Sequence, residues 1–284
     1  MGARKLRVLL RGSLARAGVR LGRDRFFEVL RQGNLLLKPR RSQSPRTTHS
    51  RHSLPVFGNL IKDRPVSRPN EVWVGDLTYL RTKEGFMFLT LLTDKMSRKI
   101  VGYHCGDSLE SIGCQQALQM ALRQLQPGQR PIHHSDRGSQ YCCHEYVQLA
   151  LAGGLAMSMT ETDHCAENAL AERMNGILKS EYGLDQRFKT KAQTRQAVEQ
   201  AVHLYDTRRP HSALGYQFPA VVHASFLPPG PPSCGLPGHW APRARPELRT
   251  GVRRPAQVGV IPVADQPVEP LRGRSISVTS ASRK

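Results

Sequence analysis

The chain has 284 residues and a formal net charge of +20, so it is long enough to bury one sizeable core with flanking segments. No apolar run of about 18 residues exists, which excludes a membrane-spanning helix, and the six cysteines form no Cys-x-x-Cys pair, so a reducing cytoplasm fits best. The positive excess lies in residues 1–70 and 226–284, because residues 71–225 are neutral, and such flanks favour DNA or RNA as a partner over a merely basic surface.

Two short helices are predicted in residues 1–37. Leucines recur at helical spacing from Leu6 to Leu14, and Gly22 and Gly33 bracket a second apolar segment. Helices with arginine-rich faces suit a small DNA-binding module, and an ordinary helical hairpin is an equal alternative.

Residues 38–69 are predicted to form a basic linker with one short apolar patch. Arginine, serine, threonine and histidine dominate its first half, where Arg40 and Arg41 stand side by side. We expect this linker to be extended along a phosphate backbone, with both arginines contacting DNA.

From residue 70 to residue 225, apolar segments separated by short turns predict a folded core. Three strands come first, at Val72–Leu80, Phe86–Leu92 and Lys99–His104, and their short connections make them an antiparallel meander. Helices and strands then alternate: a helix from Ser108 to Leu125 with Ser108 as N-cap, a strand at Ile132–His134, a helix through Tyr146, a strand at Leu155–Met159, and helices that start near Glu167 and Lys191. This order predicts an α/β fold, a ribonuclease-H-like five-stranded mixed sheet flanked by helices, with the first and fourth strands as neighbours.

Three carboxylates are notable for their places in these elements. Asp76 lies in the middle of the first predicted strand, Asp136 follows the fourth strand, and 35 residues separate Asp136 from Glu172. A carboxylate inside an apolar strand is unfavourable unless it is paired or holds a cation, and a second carboxylate beside it adds repulsion. Two or three carboxylates that hold Mg²⁺ or Mn²⁺ are typical of phosphodiester cleavage. Glu167 is the alternative third carboxylate, and a helix-dipole role is its other interpretation.

Neighbouring residues have predicted supporting roles. Asn168, Glu172 and Lys179 share one face of the predicted helix, which suits DNA running past the site. His133 and His134 alternate along a strand, so one is expected to face the core and one the site, with His134 as the supporting residue. No Cys/His cluster with ligand spacing accompanies them, so zinc is disfavoured.

Four segments carry a family resemblance: Trp73 through Tyr79, His133 through Tyr141, Glu167 through Glu172, and Arg208 through Tyr216. The first three resemble the catalytic core of bacterial insertion-sequence transposases, the retroviral-integrase-like kind with an Asp-Asp-35-Glu triad. The fourth resembles that family's closing motif, and the similarity extends over about residues 4–222.

The resemblance implies an integrase-type catalytic core with two Mg²⁺ (or Mn²⁺) ions held by Asp76, Asp136 and Glu172. It implies double-stranded DNA as the substrate, both terminal inverted repeats and target DNA, and a homo-oligomer on DNA associated with the bacterial nucleoid. In that family a second reading frame encodes this core, so the product of the upstream frame is an expected partner. The residues expected to hold phosphates are Arg137, Lys179, Arg208 and Arg209.

The sequence departs from the family pattern at three places. Residues 1–6 resemble an internal segment of such proteins, so the amino end is expected to be shortened. Gly75 stands where Ser or Thr often precedes the first Asp, and Glu167 stands where Asp is common. Residues 226–284, rich in proline and arginine, extend beyond the usual end and are expected to be disordered.

Two alternative functions are considered. A decayed copy would bind DNA without cleaving it, and the intact set of carboxylates is evidence against this alternative. Another ribonuclease-H-like nuclease, such as an RNA–DNA hybrid hydrolase, is disfavoured by the Asp-35-Glu spacing and by the segment from Arg208 to Tyr216.

Overall fold

The computed structural model describes residues 2–36, 52–161 and 168–226. The predictions for Arg40, Arg41, Glu167 and the tail from residue 227 onward lie outside the described residues. Across the described ranges, no helix is both long enough and apolar enough to cross a membrane.

A mixed β-sheet forms the centre of the fold. Its strands are β1 (Val72–Thr82), β2 (Gly85–Asp94), β3 (Ile100–Gly106), β4 (Ile132–Ser135), β5 (Ala156–Met159) and β6 (Arg187–Phe188). The strand order is β3-β2-β1-β4-β5, and β6 pairs in parallel with the far end of β1. This order confirms the ribonuclease-H-like arrangement, with the first and fourth strands as neighbours. The sixth strand was not predicted, because two residues are too few to produce a periodic pattern.

The described helices are α1 (Ala3–Arg16), α2 (Arg23–Gln32), α3 (Ser111–Leu122), α4 (Ser139–Cys142), α5 (His144–Ala152), α6 (Ala169–Glu181), α7 (Lys191–Arg208) and α8 (Pro219–Ala224). Helices α3 and α5 pack on one face of the sheet, and α6 and α7 pack on the other. Helices α1 and α2 agree with the predicted helices in residues 1–37, and their DNA-binding role stays a prediction.

Two predicted helix boundaries are wrong. Helix α3 begins at Ser111 with Glu110 as N-cap, and the Ser108 hydroxyl instead accepts a hydrogen bond from the Glu110 N–H at 3.1 Å. Ser108 therefore closes a turn before the helix. The single helix predicted after β4 is two helices, because the backbone of Cys143 is extended (φ −66°, ψ 151°).

Two apolar clusters lie on opposite faces of β1, as the alternation of side chains along a strand requires. One contains Trp73 and packs under α3, α4 and α5, and the other contains Leu80 and packs under α6 and α7. Full burial of side chains of this size contributes about 2 kcal/mol each. Helix α3 crosses β3 so closely that a Cβ added at Gly102 would lie 2.2 Å from the Ala117 carbonyl oxygen. Both layers hold β1 rigidly, and Asp76 is on this strand.

Candidate active site

Asp76 and Asp136 lie on or beside neighbouring strands at matching positions. β1 and β4 pair in parallel with Val74 opposite His134, and the same register continued by two residues brings Asp76 opposite Asp136. Asp136 follows the last residue of β4, and its Oδ1 accepts a hydrogen bond from the backbone N–H of Gly138 at 3.1 Å. The strand order therefore brings the two carboxylates side by side at the end of β4.

The glycine before Asp76 is explained by the packing of His133. A Cβ at Gly75 would lie 2.8 Å from His133 Cε1 and 3.1 Å from Leu92 Cδ2. The His133 ring is buried, and its Nε2 shares a hydrogen bond of 2.9 Å with the Tyr146 hydroxyl. Burial lowers the pKa of His133 to about 3, so the ring is neutral. The departure from Ser or Thr at Gly75 thus makes room for this histidine.

His134 joins strands and does not face an open site. Its ring is also fully buried, and its Nδ1 shares a hydrogen bond of 2.9 Å with the Ser158 hydroxyl on β5. The same hydroxyl accepts a hydrogen bond from the Leu60 N–H at 2.9 Å. The expectation that one of the two histidines faces the site is therefore corrected, because both rings are buried within the sheet's packing.

Helix α6 is held against β1 by three side-chain donors on one face. The amide of Asn168 donates to the Gly75 carbonyl oxygen at 3.1 Å, and the amide of Asn175 donates to Asp76 Oδ2 at 2.7 Å. The ammonium group of Lys179 donates to the Thr78 hydroxyl at 2.6 Å. The predicted shared face therefore includes Asn168 and Lys179, and it borders Asp76 directly.

Asn175 is the functional residue that the sequence analysis missed. It is nine-tenths buried or more, and it is the side chain that contacts the Asp76 carboxylate. Its spacing was a usable signal, because it lies seven residues after Asn168 and four before Lys179, on the same helical face. Glu172, by contrast, is exposed at the edge of that face.

The two other predicted carboxylates affect the titration of Asp76. Burial first, and then the negative charges of Asp136 and Glu172, together raise the pKa of Asp76 to about 7. Hydrogen bonds from Asn175 and from the Leu77 N–H act in the opposite direction. The Asp76 carboxylate is therefore under-compensated by the protein at neutral pH.

The chemistry of these side chains fits a divalent cation. Among the described residues, no group of three or more His, Cys, Asp and Glu side chains lies close enough to hold a metal ion. Asp76 and Asp136 are nevertheless adjacent all-oxygen donors, which Mg²⁺ and Mn²⁺ prefer. Glu172 is exposed in the first turn of α6, so its side chain can rotate without disturbing the core. A cation would offset both the burial of the Asp76 carboxylate and its repulsion by the neighbouring carboxylates, which together raise its pKa.

Two raised carboxyl pKa values make the stability of the metal-free protein pH-dependent. Burial raises the pKa of Asp76 and of Asp206 to about 7. Because these values lie above those of the unfolded chain, the stabilisation is complete below about pH 4 and is lost as the pH rises through about 7. Because the pKa of each group rises by about three units, we expect each to remove on the order of 4 kcal/mol of stability across this range.

Asp206→Asn should remove the part of the pH-dependent loss of stability that is due to Asp206, because asparagine does not titrate. The fold should persist, because asparagine keeps an oxygen that can accept the Ile100 N–H at 3.0 Å. Urea unfolding at pH 4, 6 and 8 in EDTA measures the slope. A variant whose stability falls with pH as steeply as that of the wild type would contradict the prediction.

The predicted phosphate-binding arginines have different surroundings. Arg137 is half-buried and donates through Nε to the Thr160 carbonyl oxygen at 2.7 Å, and Arg208 is exposed at the last position of α7. Arg209 is only 1% exposed and donates to both carboxylate oxygens of Glu181, at 2.8 and 3.0 Å. Its phosphate-binding role is therefore corrected, because a protein carboxylate already occupies its guanidinium group.

Comparisons with known proteins identify the family. The integrase core domain family matches residues 66–165, and a second integrase core domain model matches residues 153–219. The chain is 36% identical over 219 residues to the insertion element IS600 uncharacterized 31 kDa protein of Shigella sonnei, a match that covers 76% of this chain and 80% of that protein. It is 31% identical over 216 residues to the transposase for insertion sequence element IS629 of Shigella sonnei, which covers 75% and 71%. The chain belongs to the insertion-sequence transposases with an integrase core.

This transposase assignment confirms the family resemblance found in the sequence. Among solved structures, the HTLV-2 integrase catalytic core domain in complex with magnesium is similar, with a TM-score of 0.45 and 20% identity over 56% of this chain and 99% of that chain. Membership in a transposase family does not favour either alternative function, the decayed DNA-binding copy or another ribonuclease-H-like nuclease.

Proposed function

We propose that Asp76, Asp136 and Glu172 are the carboxylates with which this chain cleaves and joins DNA strands at the ends of an insertion sequence. DNA transposition is the function of its family. The observation that supports this site is the Asp76 carboxylate, whose pKa is raised to about 7 by burial and by the two other charges. A buried carboxylate beside two other carboxylates does not favour folding. A positively charged ligand is therefore the simplest explanation for this arrangement.

The proposed ligand is Mg²⁺ or Mn²⁺, with two ions per active site. Asp76 and Asp136 would hold the ions, and Glu172 would complete the set after rotation of its exposed side chain. When bound, the metal polarises the phosphate and lowers the pKa of the attacking hydroxyl group.

The remaining residues orient the carboxylates and the DNA. Asn175 holds one oxygen of Asp76, and the N–H of Gly138 holds one oxygen of Asp136, so both carboxylates are positioned before DNA binds. Lys179 is close enough to Asp76 for the carboxylate to raise the lysine pKa, although burial lowers that pKa overall. Its positive charge lies where a phosphate backbone would pass the site.

The proposed reaction has two in-line displacements and no covalent enzyme intermediate. In the first, water attacks a phosphodiester at the element end, the P–O3′ bond breaks, and a free 3′-OH and a 5′-phosphate result. In the second, that 3′-OH attacks a target phosphodiester, a new P–O bond forms, and the 3′ oxygen of the target strand leaves and gains a proton. The Asp76 carboxyl group, with its raised pKa, is suited to a site where negative charge accumulates.

The DNA partners and the assembly are also part of the proposal. Terminal inverted repeats and target DNA would contact the basic residues 1–37 and 38–69, together with Arg137, Lys179 and Arg208. The chain would act as a homo-oligomer on DNA at the nucleoid, with the product of the upstream reading frame as a partner.

Glu172→Gln is expected to lower DNA nicking at least about 100-fold, because it removes a proposed metal ligand. Glu167→Gln should leave nicking within about threefold of the wild-type rate, because a residue that acts on the helix dipole has a small effect. Both rates are measured in Mn²⁺ on a duplex that carries the element end. If Glu167→Gln were inactive and Glu172→Gln active, the third carboxylate would be Glu167.

A further inference from the structure

One edge of β1 between β4 and β6 is not paired with a strand in the described part of the chain. β4 pairs with β1 as far as Val74, and β6 begins its pairing at Arg81. Asp76 and Thr78 lie in this interval, and Lys179 reaches it through its bond to the Thr78 hydroxyl. The candidate active site is therefore continuous with a length of β1 whose edge has no strand partner and against which α6 packs through side chains.

An aromatic pair formed by β1 and β2 lies near the Arg81 end of this interval. Tyr79 and Phe86 pack edge to face, with ring centroids 5.5 Å apart and an interplanar angle of 82°. Phe86 is 56% exposed although it is in β2. The Lys179 ammonium lies 4.8 Å from the Tyr79 ring centroid, and the Arg81 guanidinium lies 5.9 Å from it. Aromatic rings beside cations form the usual platform for bases of single-stranded nucleic acid.

Two positively charged side chains lie opposite each other near this aromatic pair. Arg81 on β1 and Arg187 on β6 are direct register partners, and both are exposed. Directly opposed like charges destabilise a sheet, and within the described residues neither arginine forms an ion pair. The exposed Lys83 and Lys189 follow on the same two segments. A polyanion bound between the two arginines would offset the repulsion between their positive charges.

We propose that the exposed Phe86 ring, supported from beneath by the buried Tyr79 ring, forms with Arg81 and Arg187 a stacking site for an unpaired nucleotide of the DNA strand that is cleaved at the Asp76 site. The Phe86 ring stacks on the base, and the two arginines hold its phosphate. A duplex conceals the faces of its bases, so an exposed ring accepts an unpaired base more readily than a paired one. The five residue-to-residue steps of β1 from Asp76 to Arg81 span about 17 Å, or about five stacked nucleotides at 3.4 Å each.

The test compares two DNA substrates in EDTA, so that no cleavage occurs. One is a blunt duplex of the element end, and the other is the same duplex with a five-nucleotide unpaired extension that contains 2-aminopurine. Anisotropy gives the affinity, and 2-aminopurine quenching reports stacking. Phe86→Leu keeps an apolar side chain without the ring. Phe226→Leu is the matched control, because Phe226 is 50% exposed and follows α8, whose His223 is hydrogen-bonded to Ser97 in the turn after β2, whereas Phe86 is at the start of β2.

Phe86→Leu should bind the extended DNA about tenfold more weakly and lose the quenching, with no change on the blunt duplex. Arg81→Gln should weaken the extended DNA more than the blunt duplex and lower the salt slope on the extended DNA by about one. Unchanged quenching in Phe86→Leu, or an equal loss on both substrates, would overturn the stacking site. The stacking site rests on the proposed function only in assuming that the bound DNA strand is cleaved near Asp76. Cleavage that persists in Asp76→Asn would refute the proposed function, whereas the binding result would still decide the stacking site.

Discussion

Asp136→Asn is expected to abolish metal-dependent nicking and strand joining, with a loss of at least about 1,000-fold. The substitution keeps the size of the side chain and the oxygen that accepts the Gly138 N–H, so the turn after β4 should persist. It removes one of the two adjacent negative charges that would attract a divalent cation. DNA affinity should be unchanged or slightly higher, because one negative charge near the phosphates is lost and the basic flanks are intact.

The decisive experiment measures nicking and joining of element-end DNA in Mg²⁺ and in Mn²⁺, beside binding in EDTA. Asp76→Asn should match Asp136→Asn. Glu199→Gln on the exposed face of α7 removes the same charge elsewhere and should cleave normally. Normal nicking by Asp136→Asn would refute the carboxylate mechanism. Loss of binding together with cleavage would instead show that the substitution had disturbed the fold.

The adjacency of Asp76 and Asp136 could be predicted because it follows from topology. Three strands joined by short turns, then a helix and a fourth strand, leave few ways to build one sheet. The apolar runs around both residues are long enough to define their strands, and the observed pairing of Val74 with His134 has the expected direction. A glycine is required at position 75 because a side chain there would collide with His133 on the neighbouring strand. No local sequence pattern reveals a contact of that kind.

The face of α6 could be predicted only in part. Asn168 and Lys179 were assigned to it correctly, but the predicted central residue was Glu172, and the structure has Asn175 against Asp76. Both residues are close to helical spacing from Asn168. Ala171 is the residue that packs into the apolar cluster beside β1, and this packing sets the rotation of the helix. A small change in the rotation of α6 about its axis would therefore decide whether Glu172 or Asn175 is buried against β1.

Arg209→Met is expected to lower the free energy of unfolding by about 3–5 kcal/mol, because it leaves a charged partner without its counter-ion. The guanidinium group of Arg209 is buried, makes two hydrogen bonds to Glu181 and lies 5.5 Å from the Tyr205 ring centroid. Burial acts to raise the pKa of Glu181, yet the hydrogen bond and charge of Arg209 hold that pKa below its usual range. The pair fastens the end of α6 to the end of α7, so its loss should loosen the helix that carries Glu172.

Arg208→Met is the matched control, since Arg208 is the exposed neighbour and its replacement should change stability by less than about 0.5 kcal/mol. Urea unfolding followed by circular dichroism compares the two variants. The double variant Arg209→Met/Glu181→Met should recover most of the lost stability, because no unpaired charge remains buried. Arg208→Met should instead weaken DNA binding if the exposed arginine contacts phosphate. An Arg209→Met protein with wild-type stability and weakened DNA binding would reverse these assignments and return Arg209 to the DNA surface.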